Sequence, residues 1–245
     1  MRNIDDYQKQ YAENYPYEPN QVRYRRESIL EIIEELNPAR ILEIGCGYDP
    51  LFRYLDTFEK YVVVDPGKNF IEVAKEFAND HQHREKITIV NEYFKGKTDT
   101  ISDFDFVICA GLLHELSHQQ EFMQQLYEVA DENTTVHVNV PNANSFHRLV
   151  AVKAGIIESV HEKSEFQKRF QQHNVFTIDQ LTELAVSVGF KSVGDGTISF
   201  KPFTHNQMQA IIDQKILDKK SIDALAGMVS YCPNLGSEMF VNLKK

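Results

Sequence analysis

No stretch of this chain approaches the eighteen or so consecutive apolar residues that a membrane-spanning helix needs. The opening residues, Met1-Arg-Asn-Ile-Asp-Asp-Tyr7, are polar and acidic, so they do not read as a secretory leader. Basic residues are in short supply: 26 Lys and Arg stand against 36 Asp and Glu, a formal charge of −10. Phosphate-backbone recognition needs a basic surface, so a nucleic-acid partner is not expected. Like charges do not gather into runs of five or six. Cysteine is scarce, and Cys46, Cys109 and Cys232 are too far apart for a metal-ligand pattern. Two of them fall at apolar strand ends, which suits reduced core thiols in a cytoplasmic protein that binds no metal. What remains is 42% apolar over 245 residues, enough for one α/β domain with insertions.

The richest stretch is Arg40-Ile-Leu-Glu-Ile-Gly-Cys-Gly-Tyr-Asp-Pro50, followed by Tyr61-Val-Val-Val-Asp65. Each is a short apolar strand with an acid at its end, Glu43 in one and Asp65 in the other. Gly45 and Gly47 let the main chain approach a ligand where a Cβ would intrude. An acid after the second strand can accept both hydroxyls of a ribose, which places a nucleoside across two parallel strands. A dinucleotide site would want a third glycine opening a helix beneath the pyrophosphate. Here that position holds Asp49, whose charge would repel a pyrophosphate. S-adenosylmethionine carries no phosphate, and acids such as Glu43 and Asp49 suit its positive sulfonium and ammonium. The same residues are compatible with a plain strand-to-helix turn, and a nicotinamide cofactor is disfavoured by Asp49.

At these residues the chain resembles the class I S-adenosylmethionine-dependent methyltransferases. The resemblance extends in order through Phe104–Leu116, Val138–Asn142, Phe176–Phe190 and Leu235–Lys244. The run Pro141-Asn-Ala-Asn-Ser-Phe-His-Arg148 is similar to a bacterial small-molecule and sugar subgroup of O-antigen, capsule and deoxysugar pathways. It implies an α/β, doubly wound, Rossmann-like, seven-stranded sheet with an antiparallel last strand. It also implies S-adenosyl-L-methionine as cofactor, a small-molecule acceptor and a fold compatible with a homodimer.

Strands are expected at Arg40–Ile44, Tyr61–Asp65, Ile87–Asn91, Phe104–Cys109 and Thr135–Val140, alternating with helices as a parallel sheet requires. Ile29, Ile32, Ile33 and Leu36 predict a helix from about Arg26 to Leu36, ended by Asn37-Pro38. Thr177 and Gln180 predict a capping box. Residues 143–175 and 201–236 are longer than ordinary connections and carry helical patterns. They are expected to form a helical cap over the acceptor within a single 1–245 domain. Tyr7, Tyr11 and Tyr15 share one helical face, and residues 1–25 read either as a lid over the cofactor or as a helix packed on the core.

For the cofactor, the resemblance implies Asp65 at the ribose and Gly45, Cys46 and Gly47 at the amino-acid end, with Glu43 and Pro66 beside them. It implies Glu92 and Tyr93 at the adenine, and Cys109 and Ala110 beneath the methionine. Arg23, Arg25 and Arg26 are candidates for its carboxylate, or simply a solvated face. For a hydroxyl acceptor a base must remove a proton, whereas an amine acceptor need only be unprotonated. His114 and Glu115 lie in the loop that borders the methyl group in the family, in the reverse of the usual Glu-His order. Neighbours in an extended segment point opposite ways, so one of the two should face the pocket. His173, four residues before Thr177, is the further candidate, and each of these histidines also has a packing alternative. Tyr11, His147 and Arg148 are the candidate acceptor contacts, Arg148 through a phosphate or carboxylate. Histidines 81, 83, 137, 161 and 205 read as solvated or strand-face residues. The function expected is methyl transfer to a hydroxyl or amine of a small polar metabolite, a nucleotide-linked sugar or surface-glycan precursor leading. A quinone or aromatic acceptor and a non-catalytic cofactor-binding module remain the alternatives.

Overall fold

The computed structural model describes residues 4, 16–163, 167 and 172–245. Tyr7, Tyr11 and Tyr15 lie outside them. The central sheet has seven strands in the order β3-β2-β1-β4-β5-β7-β6. They are β1 (Arg40–Ile44), β2 (Lys60–Val64), β3 (Ile87–Val90), β4 (Phe106–Ala110), β5 (Thr135–Pro141), β6 (Lys191–Ile198) and β7 (Glu238–Lys244). Strands β1 to β5 pair in parallel, and β7 runs antiparallel between β5 and β6. The inner strands are buried along almost their whole length. Such continuous apolar runs mark strands covered on both faces. Alternate residues divide into two cores, with Leu42, Val62 and Val107 on one side and Ile41, Val63 and Phe106 on the other.

Helix α1 (Glu18–Leu36) buries Ile29 and Ile33. It starts eight residues before the position its apolar spacing predicts. Its first two turns are polar, but Pro19 opens the helix and buried Gln21 and Tyr24 hold it against the molecule. Asn37 ends it in the left-handed conformation, its N–H donating to the Ile33 carbonyl at 2.7 Å. Helix α2 (Lys68–Asp80) and helix α3 (Gln119–Val129) cover the sheet, followed by α4 (Phe146–Lys153) and α5 (Ile178–Ser187). The capping box of Thr177 and Gln180 is present at the start of α5. Helices α6 (His205–Asp213) and α7 (Lys219–Gly227) pack with Tyr17, Tyr24 and Ile198 into a third, smaller core. Thus α4 lies in the first long connection, and α6 and α7 in the second. Because β6 runs parallel to β5, both connections leave from the carboxyl edge of the sheet, the edge where α/β proteins bind ligands.

Candidate active site

A cavity of about 1010 Å³ opens along that edge. It is at the upper end of the roughly 300–1,000 Å³ of a single small-molecule site. One continuous wall runs from the β1 turn, past the loop after β4, to the cap.

The cofactor-like end is built from main chain. Gly45 (φ +82°) and Gly47 (φ +56°) turn the chain after β1 in conformations that side chains resist, and a Cβ on Gly47 would project into open space. Asp65 follows β2 and is buried. Its Oδ2 accepts the Cys46 N–H at 3.1 Å and its Oδ1 the Gly67 N–H at 2.7 Å. The Cys46 thiol also meets its Oδ2, at 3.9 Å. Burial, with Asp65 and Glu43 nearby, pushes the Cys46 thiol far above its ordinary range, so it is not a nucleophile. The two acids expected to face positive charge are fasteners of the turn. Glu43 accepts the Leu51 N–H at 3.1 Å and the Tyr61 hydroxyl at 2.8 Å, and burial raises its carboxyl to about 8. Asp49 is held by Arg26, Arg53 and Tyr54.

Pro66, Tyr93 and Ala110 line the cavity, whereas Glu92 and Cys109 do not. Strand alternation is the reason for Cys109: Ile108 and Ala110 line the cavity while the thiol packs in the opposite core with Val107 and Leu113. Glu92 is exposed, since the cavity wall is formed instead by Tyr93 and Phe94. Of the three clustered arginines, Arg25 and Arg26 line the cavity; Arg23 pairs with Asp223 and Glu27 instead.

Past Gly111 the chain makes a 3₁₀ turn, Leu113–Glu115, rather than an extended segment. Successive side chains in such a turn are about 120° apart instead of opposed. Both His114 and Glu115 therefore line the cavity, both buried, with Nε2 and Oε1 3.9 Å apart. The expectation that only one would face inward is corrected by this turn. The His114 carbonyl accepts the main-chain N–H groups of His173 and Asn174 at 2.9 and 3.0 Å. That clamp brings His173 to the rim, where its side chain is exposed.

The cap end is made of side chains. His147 and Arg148, on the first turn of α4, line it. The guanidinium of Arg148 is engaged by the carbonyls of Val160 and Glu162 and by Gln167 Oε1. Lys201, three residues past β6, is 2% exposed, with Nζ 3.3 Å from the ring of His205 on α6. Burial lowers its amine to about 8, against the pull of Glu18 and Glu238. Arg25 grips Glu238 by two bonds, Nε–Oε2 at 2.7 Å and Nη2–Oε1 at 2.5 Å. Burial and neighbouring cations hold His147 and His205 below the usual histidine range. Lys201, His205 and Glu238 were not singled out by motif. The signal available was the place of Lys201 and His205 after the end of β6 and of Glu238 at the start of β7.

A family model described as a methyltransferase domain matches residues 13–193. No curated protein sequence matches the chain. Among solved structures, the chain is similar to an S-adenosylmethionine-dependent methyltransferase from Thermotoga maritima, described as a possible histamine N-methyltransferase. The TM-score is 0.60 at 15% identity, covering 91% of this chain and 90% of that one. The methyltransferase domain of a bacterial Hen1 protein matches with TM-score 0.58 and 14% identity, over 91% and 98% of the two chains. An O-methyltransferase of neocarzinostatin biosynthesis, solved with S-adenosylmethionine and a naphthoic acid, gives 0.53 at 11% identity, over 85% and 49%. With three quarters of its length matched by the family model and this sheet order, the chain belongs to the class I S-adenosylmethionine-dependent methyltransferases.

Proposed function

We propose that the protein transfers a methyl group from S-adenosylmethionine to a hydroxyl or amine of a small polar metabolite, with nucleotide-linked sugars and surface-glycan precursors as the leading class. The observation that carries this reading is the placing of His114 and Glu115 between a glycine-and-Asp65 end and a polar cap end of one cavity. Asp65 would hold the ribose, and Gly45, Cys46 and Gly47 would border the amino-acid end. The cofactor supplies a methyl carbon already activated by its sulfonium. The protein's task is then alignment of the acceptor and, for a hydroxyl, removal of its proton. His114 is the first candidate for that base, since histidine exchanges protons near neutral pH. Glu115, 3.9 Å away, can stabilise the imidazolium that results. His173 would approach from the rim. Residues 143–175 and 201–236 would close over the acceptor and residues 1–25 over the cofactor. The polar lining contributed by Gln167, Gln172, His147 and Lys201 favours a polar acceptor over a quinone.

The test is calorimetry with S-adenosylhomocysteine and NAD, followed by a thermal-shift screen of nucleotide-sugars on the S-adenosylhomocysteine-saturated protein and a turnover assay on the hits. Binding of S-adenosylhomocysteine and methyl transfer to one hit are expected. Tighter binding of NAD than of S-adenosylhomocysteine would overturn the reading.

A further inference from the structure

At the cap end, hydrogen-bond donors outnumber acceptors. The buried ammonium of Lys201 has three donors, and the only partner among the described residues is the His205 ring. No carboxylate among them lies within 4 Å of Lys201 Nζ, while both oxygens of the neighbouring Glu238 are taken by Arg25. His147 Nδ1 is sealed from solvent and meets no hydrogen-bond partner among the described residues. A buried nitrogen left this way is costly unless a ligand completes it. Lys201, His147 and His205 come from the β6 exit, α4 and α6, and all line the cavity opposite the Asp65 end. The Lys201 ammonium and the sealed His147 nitrogen thus have hydrogen-bonding capacity that an oxyanion would fill.

We propose that Lys201, with His147 and His205, is an acceptor subsite that grips one singly charged oxyanion of the methyl acceptor, a carboxylate or a phosphodiester-type phosphate. A single charge fits better than two. The groups facing Lys201 are Glu18 and Arg25 from α1, Glu238 from β7, His205 from α6 and His147, with Arg148 beside it, from α4. Two acids, Glu18 and Glu238, stand against three cations, Arg25, Arg148 and Lys201, while the histidines are neutral, so one oxyanion charge balances the site and a second would be uncompensated. The inference rests on the methyltransferase reading, because it takes the opposite end of the cavity to be the cofactor's.

The test uses the full chain, both without and saturated with S-adenosylhomocysteine, with acetate, dimethyl phosphate or inorganic phosphate added against matched chloride. At pH 7, acetate or dimethyl phosphate at several times its dissociation constant is expected to raise Tm by about 2–4 °C. Inorganic phosphate should do so less, and K201M should abolish the effect while keeping S-adenosylhomocysteine affinity. The response to one monoanion and not the other names the source of the group. Lys201 must be charged to bind, so the affinity for the better probe should fall about tenfold from pH 7 to pH 9 in the wild type. In K201R, which stays charged, it should not. If K201M does not fold, the K201R pH comparison decides. Equal responses in wild type and K201M, an identical pH profile in K201R, or an effect that vanishes once S-adenosylhomocysteine saturates the protein would each overturn the proposal. The last result would mean that the subsite belongs to the cofactor's own carboxylate. S-adenosylhomocysteine binding without any anion response would sink the subsite alone; no S-adenosylhomocysteine binding would sink the proposed function with it.

Discussion

At the β1–β2 end of the cavity the ligand-facing surface is main chain at Gly45 and Gly47, braced by acids: Asp65 takes two N–H groups and Glu43 a third and a hydroxyl. At the cap end the same cavity is walled by bases, namely Lys201, His147 and His205, carried by three separate elements. The two ends also resist charging in opposite senses. Burial keeps Glu43 protonated up to about pH 8, and keeps Lys201 and the histidines deprotonated below their ordinary values. One end is main chain with its acid braces and the other is side chains from three elements; under the proposed function the first would hold the cofactor and the second the acceptor.

The sharpest way to break that division is at the junction. His114→Ala should lower turnover on a hydroxyl acceptor roughly 10²–10⁴-fold while leaving S-adenosylhomocysteine affinity nearly unchanged. Steady-state kinetics beside calorimetry reads both. Full turnover in the variant would point to an amine acceptor or to catalysis by alignment, and parallel loss of binding would make His114 a structural part of the cofactor end. Next in size, Asp65→Ala should weaken S-adenosylhomocysteine by about 1.5–3 kcal/mol, since the hydrogen bonds lost are to a charged group. Unchanged affinity would remove Asp65 from the ribose.

The opposed charging behaviour gives a stability test. Glu43 has a folded value of about 8 against an ordinary 4.5, so its contribution is complete below 4.5 and is lost as pH rises through 8. The depressed histidines work the other way, destabilising the fold as pH falls below 6.5. Between pH 6.5 and 8 Glu43 acts with little opposition from them, and the wild type should lose about 2 kcal/mol that Glu43→Gln retains. Denaturant melts at the two pH values measure it, and equal slopes in the two proteins would refute the assignment. Smallest, Thr177→Ala should cost about 1 kcal/mol by removing the cap of α5, with S-adenosylhomocysteine affinity held. A drop in that affinity would tie the two ends together.

The same contrast explains what the sequence disclosed. The sheet, the Gly45–Gly47 turn, Asp65 and the capping box are local: each depends on residues a few positions apart, and strand register carries the rest. Cys109 lies off the cavity wall because alternate residues of β4 face opposite cores, and which of them faces the cavity was not legible until the strand's register was known. The pairing of His114 with Glu115 required knowing that the loop tightens into a 3₁₀ turn. Lys201 and His205 were out of reach for another reason. Their partners, Glu18, His147 and Glu238, lie 183, 54 and 37 positions from Lys201 along the chain, and no spacing rule joins them. The polar start of α1 was hidden likewise, since its burial depends on Ser199, Met208 and Asp223 of the cap rather than on its own periodicity.

The place of β7 carries a consequence for how the molecule is made. It is the last strand in sequence, yet it lies between β5 and β6, pairing Val138 with Val241 on one side and Gly196 with Phe240 on the other. During synthesis the five parallel strands, and with them the Gly45 turn and Asp65, can assemble while β7 is still being added. Strand β6 then has no neighbour in the sheet, and Arg25 lacks Glu238. A nascent chain held before β7 would therefore have the Gly45 turn and Asp65 in place and the cap end of the cavity unbuilt, and inserting that one strand would complete it.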